Sequence, residues 1–125
     1  MTFNQCTFIG NAGSDPKLLT TGNGKSFTRF RLAVPGLHKD EKNNTLWLTV
    51  LIWQEALAKI TVDLITTSSL VLVSGRLTER KYTDQGDAEK MNIELTADKV
   101  ELLATGKAAQ KTAPDQIEQQ QPATL

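Results

Sequence analysis

The two tryptophans of this chain bracket a single run, W-L-T-V-L-I-W, from Trp47 to Trp53. In a strand, alternate side chains share a face, so Trp47, Thr49, Leu51 and Trp53 lie on one side and Leu48, Val50 and Ile52 on the other. The first set carries two aromatic planes about 20 Å apart at roughly 3.3 Å per residue, with a small polar residue and a leucine between them. Two further stretches carry basic rows. In K-S-F-T-R-F-R-L-A-V, Phe27, Arg29, Arg31 and Ala33 face away from Thr28, Phe30, Leu32 and Val34. In L-V-L-V-S-G-R-L-T-E-R-K-Y, Arg76, Thr78, Arg80 and Tyr82 face away from Val71, Val73 and Leu77, and Lys81 adjoins them. Aromatic rings stack on planar π systems, and guanidinium groups pair with anionic oxygens. Read alone, the tryptophan run also suits a strand buried on both faces; the flanking basic rows favour the outward reading.

Positioning these rows takes several elements. Residues 3–10 alternate as a first strand, with Cys6 and Phe8 facing opposite to Thr7 and Ile9. Gly10 and Gly13 suit a corner or bulge, Asp15-Pro16 ends the element, and Thr21-Gly22-Asn23-Gly24 is a turn signal. The second strand starts at Lys25 and stops at Pro35-Gly36, and a polar loop, H-K-D-E-K-N-N, leads to the tryptophan strand. Residues 55–65 place Leu57, Ile60 and Leu64 at helical spacing, with Glu55 where the helix dipole favours an acid. That helix is expected to plug one end of a barrel. The fourth strand ends in the hairpin turn T-D-Q-G-D, and the fifth runs from Glu89 to about Leu103. Its alternation through Met91, Ile93 and Leu95 shifts phase before Val100 and Leu102, which predicts a bulge between Ala97 and Lys99. Three strands, one helix and two strands match the all-β, five-stranded Greek-key barrel called the OB-fold, with the helix between strands 3 and 4. The barrel is expected over residues 1–103. Residues 104–125, polar and containing two prolines, read as a disordered tail.

Composition narrows the function classes. Lysine plus arginine equals aspartate plus glutamate, 14 each, so a polyanion ligand must be met by a local patch and not by bulk charge. The single cysteine, Cys6, has no internal partner and suits a reducing compartment, where it serves as a small hydrophobe in the first strand. The start, M-T-F-N-Q-C, has neither a basic leader nor a long apolar core, and no apolar stretch approaches the roughly 18 residues of a membrane span. A cytoplasmic, nucleoid-associated location is the expectation. One histidine, one cysteine and the absence of H-E-x-x-H, G-x-S-x-G or phosphate-loop patterns give no support to an enzyme, a metal site or a cofactor.

The segments F-I-G-N-A-G-S-D-P-K, G-N-G-K-S-F, L-A-V, W-L-T-V-L-I-W, V-S-G-R-L-T-E-R-K-Y-T-D-Q-G-D and N-I-E-L-T-A-D-K-V-E-L-L resemble, in order, the bacterial single-stranded DNA-binding protein family over residues 3–103. The resemblance implies sequence-nonspecific binding and protection of single-stranded DNA in replication, recombination and repair, by a homotetramer. Trp47, Trp53 and Tyr82 then stack on bases, and His38, where the family usually has another tryptophan, is a weaker platform. Arg29, Arg31, Arg76, Arg80 and Lys81 are the expected phosphate contacts, Thr49 joins the DNA-binding face, and Lys25, Lys39 and Lys42 stand where a strand would wrap. The chain departs from the family in several places. Leu48 replaces a histidine of the subunit contacts, Thr49 replaces a basic residue, Gln54-Glu55 replaces a Gly-Lys pair, and T-T-S-S replaces a basic-glycine turn. These changes predict weaker and less salt-sensitive binding than in a typical member. The end, Q-P-A-T-L, lacks the family's acidic tip, so recruitment of replication and repair proteins is not expected of it. The alternative is an OB-fold replication accessory subunit that acts mainly as a protein-interaction module.

Overall fold

A computed structural model describes residues 1–36 and 44–106. Alternating runs form β1 (Cys6–Ala12), β2 (Lys17–Thr20), β3 (Ser26–Val34) and β4 (Leu46–Ile52). The helix α1 (Glu55–Leu64) follows, then β5 (Leu70–Thr83) and β6 (Glu89–Ala104). The strands are ordered β1-β5-β6-β4-β3-β2, and β1 also pairs with β3 through Asn11 and Ala12, which closes the ring. β4 and β6 run parallel, and the other pairings are antiparallel. This is the expected barrel with one addition. The short β2 hairpins onto β3 around the Thr21–Gly24 turn, and its four residues are too few to show a period.

The inward residues are those that alternation selects. Phe30 and Leu32 of β3, Leu48, Val50 and Ile52 of β4, Val71 and Val73 of β5, and Leu95 of β6 make one buried cluster with Ile65 beyond the helix. The first strand begins later than residue 3, but Asn4 extends its pairing: its side-chain amide donates to the Leu77 carbonyl at 2.8 Å and accepts from the Leu77 N–H at 3.1 Å. The expected bulge is Asp98, because Ser74 pairs with Lys99 while Gly75 pairs with Ala97. A Cβ at residue 75 would strike the Thr96 carbonyl, so only glycine permits the backbones to approach this closely.

The helix caps the barrel as expected, but with a different face inward. Ala58, Thr61 and Ile65 are buried, with Leu57 packed beside them, while Ile60 and Leu64 are 51% and 53% exposed. Small Ala58 lets the helix sit close against β3, where the Thr28 hydroxyl donates to the Ala58 carbonyl at 2.9 Å. Thr61 is buried at little cost because its hydroxyl donates to the Leu57 carbonyl at 2.8 Å. The apolar stripe Leu57, Ile60 and Leu64 therefore does not define the packed face. Asp15 accepts from both the hydroxyl and the backbone N–H of Thr67, each at 2.8 Å, and so ties the β1–β2 turn to the α1–β5 connection.

Candidate nucleic-acid interface

Register brings the outward rows of β3, β4, β6 and β5 side by side. Arg29 lies across from Leu51, Arg31 from Thr49, and Ala33 from Trp47. The parallel pairing then sets Thr49 beside Glu94, and the β5–β6 hairpin sets Arg80 beside Asn92 and Arg76 beside Thr96. Thr49 and Leu51 are buried although alternation sets them on the face of Trp47.

The aromatics are held, not loose. Trp47 is 47% exposed and packs over Gly13, where a Cβ would come within 2.7 Å of the ring; the Arg31 guanidinium sits 5.5 Å from the ring centroid. Trp53 is 38% exposed. Its ring stacks on Phe27 at 4.6 Å between centroids and 27° between planes, with the Lys25 ammonium 5.8 Å away. Cations this near aromatic faces are attracted by the ring quadrupole and fix the ring's orientation. Tyr82 is exposed on the outer part of the β5–β6 hairpin.

At Thr49, within the run that the tryptophans bracket, lies a groove of about 510 Å³. Lys17, Arg29, Arg31 and Arg80 line it together with Tyr82 and the polar side chains of Ser14, Thr49 and Asn92. Two acids also line it. Asp15 is engaged by Thr67, whose hydroxyl and backbone hydrogen bonds hold its carboxyl below the usual carboxylate range. Glu94 lies 3.6 Å from the Arg80 guanidinium. The Asn92 amide donates to the Thr49 hydroxyl at 3.2 Å, so the two short polar side chains at the centre are bonded to each other. Past the groove, Arg76 and Lys25 flank Trp53 around a second concavity of about 500 Å³.

The face thus collects Trp47, Trp53, Tyr82, Arg29, Arg31, Thr49, Arg76 and Arg80. Lys81 stands apart from them: it is paired with Met91, and strand alternation turns it to the other side of the hairpin from Arg80 and Tyr82. His38, Lys39 and Lys42 lie outside the described residues. Sequence reading did not assign Phe27, Lys17, Asn92 or Glu94 to the site. Among the described residues, no group of three or more histidine, cysteine, aspartate or glutamate side chains is arranged to hold a metal ion, and no helix is long and apolar enough to cross a membrane.

The model of the single-strand binding protein family matches residues 3–103, which include every strand of the barrel except the last residue of β6. The chain belongs to that family. Single-stranded DNA-binding proteins of Rickettsia typhi and Xanthomonas campestris pv. campestris are 34% and 32% identical to it, over 99 and 104 residues. The aligned regions cover 75% and 80% of this chain but 65% and 60% of those longer proteins. Among solved structures, a small single-stranded DNA-binding protein from Streptomyces coelicolor superposes with a TM-score of 0.69 at 23% identity, covering 82% of this chain and 95% of that one. A mitochondrial single-stranded DNA-binding protein from S. cerevisiae gives 0.68 at 16% identity, covering 85% and 100%. The shared architecture is the OB-fold, and the family is one of binding proteins, not enzymes.

Proposed function

We propose that this family member binds single-stranded DNA without requiring a fixed sequence and protects it during replication, recombination and repair. The observation that carries this reading is the pair of braced tryptophans, one on β4 and one just past its end, with a cation-lined groove beside Thr49 of the same strand. Every base has a π-face, so stacking tolerates any sequence, while Arg29, Arg31, Arg76 and Arg80 follow the phosphates. The chain acts as a homo-oligomer, by resemblance a tetramer. In support, the Cys6–Gly10 part of β1 pairs with β5 on one edge and has no strand on its other edge among the described residues, where Ile9 is exposed. Titration with oligo-dT at low salt is expected to quench the intrinsic tryptophan fluorescence, and added salt to reverse it. An unchanged emission from folded protein at every oligo-dT concentration would rule the reading out.

A further inference from the structure

Trp53 borders two concavities of similar size and unlike charge. The one described above, about 500 Å³, takes Lys25 from the end of the β2–β3 turn and Arg76 from β5, and no acid lines it. The other, about 450 Å³, is lined by Lys25 again, together with Glu55 and Lys59 of α1. Lys25 is common to both, so the contrast lies between Arg76 on one side and the Glu55–Lys59 pair on the other. The Glu55 carboxylate holds the Lys59 ammonium at 3.1 Å, and that pair has no net charge. Glu55 also stands in the first turn of α1, where an acid offsets the positive end of the helix dipole. Two features that would draw a phosphate toward the helix, a lysine and a helix start, are thus both answered by one carboxylate. Charges at a protein surface act over about 10 Å at 0.1 M salt. The contrast is therefore felt by the nucleotide at Trp53 and not by the strand as a whole.

We propose that Glu55 closes the α1 side of Trp53 to the phosphate chain, so that a strand stacked on Trp53 continues over Arg76 of β5 and not over the helix. This rests on the single-strand binding reading and adds a route to it: Trp53 holds the base, and Glu55 decides which way the backbone turns. Glu55 lies in the Gln54-Glu55 stretch, where the chain departs from its family, so the route belongs to this chain.

The test is the slope of log affinity against log salt for one oligo-dT, read by displacement of a labelled strand. Wild-type protein is compared with Glu55→Gln, Glu55→Lys, Asp63→Lys and Arg76→Gln, all at exposed positions, with the melting temperature of each as the check on folding. Glu55→Gln frees Lys59 to meet a phosphate and is expected to steepen the slope by about 0.7, the value of one added contact on a single strand. Glu55→Lys is expected to steepen it further. Asp63→Lys makes the same change of charge as Glu55→Lys, but outside the concavity and about 12 Å farther along the helix at 1.5 Å per residue, and is expected to leave the slope near that of wild type. Arg76→Gln is expected to make the slope shallower by about 0.7. An unchanged slope in both Glu55 variants overturns the proposal. So does an equal steepening in Asp63→Lys, which would reduce the effect to bulk charge, and so does an unchanged slope in Arg76→Gln. Failure of the wild type to bind oligo-dT at any salt concentration overturns the single-strand reading itself, and the proposal with it.

Discussion

Trp53 is fastened on one face by Phe27 and approached by Lys25, so its ring is already oriented before any ligand arrives. A stack on such a ring loses little conformational entropy, and a base stack is worth about 1–3 kcal/mol by alanine substitution. Trp53→Ala is therefore expected to weaken oligo-dT binding by about fivefold to over a hundredfold, measured by displacement of a labelled strand, with the melting temperature little changed. Trp53→Phe, which keeps a plane over Phe27, is expected to retain most of the affinity. The outward placement of the large aromatics and arginines was legible from residue type and alternation. Phe27 and Glu94 were not, because their roles arise from register: Phe27 reaches Trp53 across β3 and β4, and Glu94 meets Thr49 through a parallel pairing that no local spacing reveals.

At the scale of the elements, strands were easier to read than the helix. Each barrel strand has one face in the core, and a period of two admits only two choices, which the apolar residues decide. A helix offers many rotations, and in α1 the buried positions are Ala58, which meets Thr28 of β3, and Thr61, residues that a count of large apolar side chains overlooks, while Ile60 and Leu64 stay outside. The polar clamp between the β1–β2 turn and the α1–β5 connection was equally invisible, since Asp15 and Thr67 are far apart in sequence. Its behaviour with pH follows from sign. The Thr67 hydrogen bonds lower the Asp15 pKa in the folded state, so the clamp contributes fully above the ordinary value of 3.8 and is lost as pH falls through the lower folded value. Asp84 is shifted the same way, chiefly by the Ala88 N–H in the hairpin turn. Asp15→Asn is expected to flatten the acid limb of stability in urea unfolding without abolishing it, because Asp84 still titrates there.

For the whole molecule, zero net charge conceals an uneven field. Lys17, Arg29, Arg31 and Arg80 converge on one groove, and Arg31 stands across from Thr49, so a cation remains beside the position where the family has a basic residue. Binding to a single strand loses about 0.7 in the slope of log affinity against log salt for each phosphate contact removed. Arg29→Gln is expected to reduce the slope by about that amount for oligo-dT and oligo-dC alike, as read from titrations at several salt concentrations. The paired tryptophans have one more consequence. They bracket the β4 run and sit in unlike surroundings, Trp47 over Gly13 with Arg31, Trp53 against Phe27 with Lys25. A strand has a 5′ and a 3′ end, and the two ends of this track are not interchangeable. If the proposed single-strand reading holds, the protein carries an optical compass: in variants that keep one tryptophan each, Trp47→Phe and Trp53→Phe, short oligonucleotides with a quencher on one terminus would dim one variant more than the other, and so give the polarity of the bound strand.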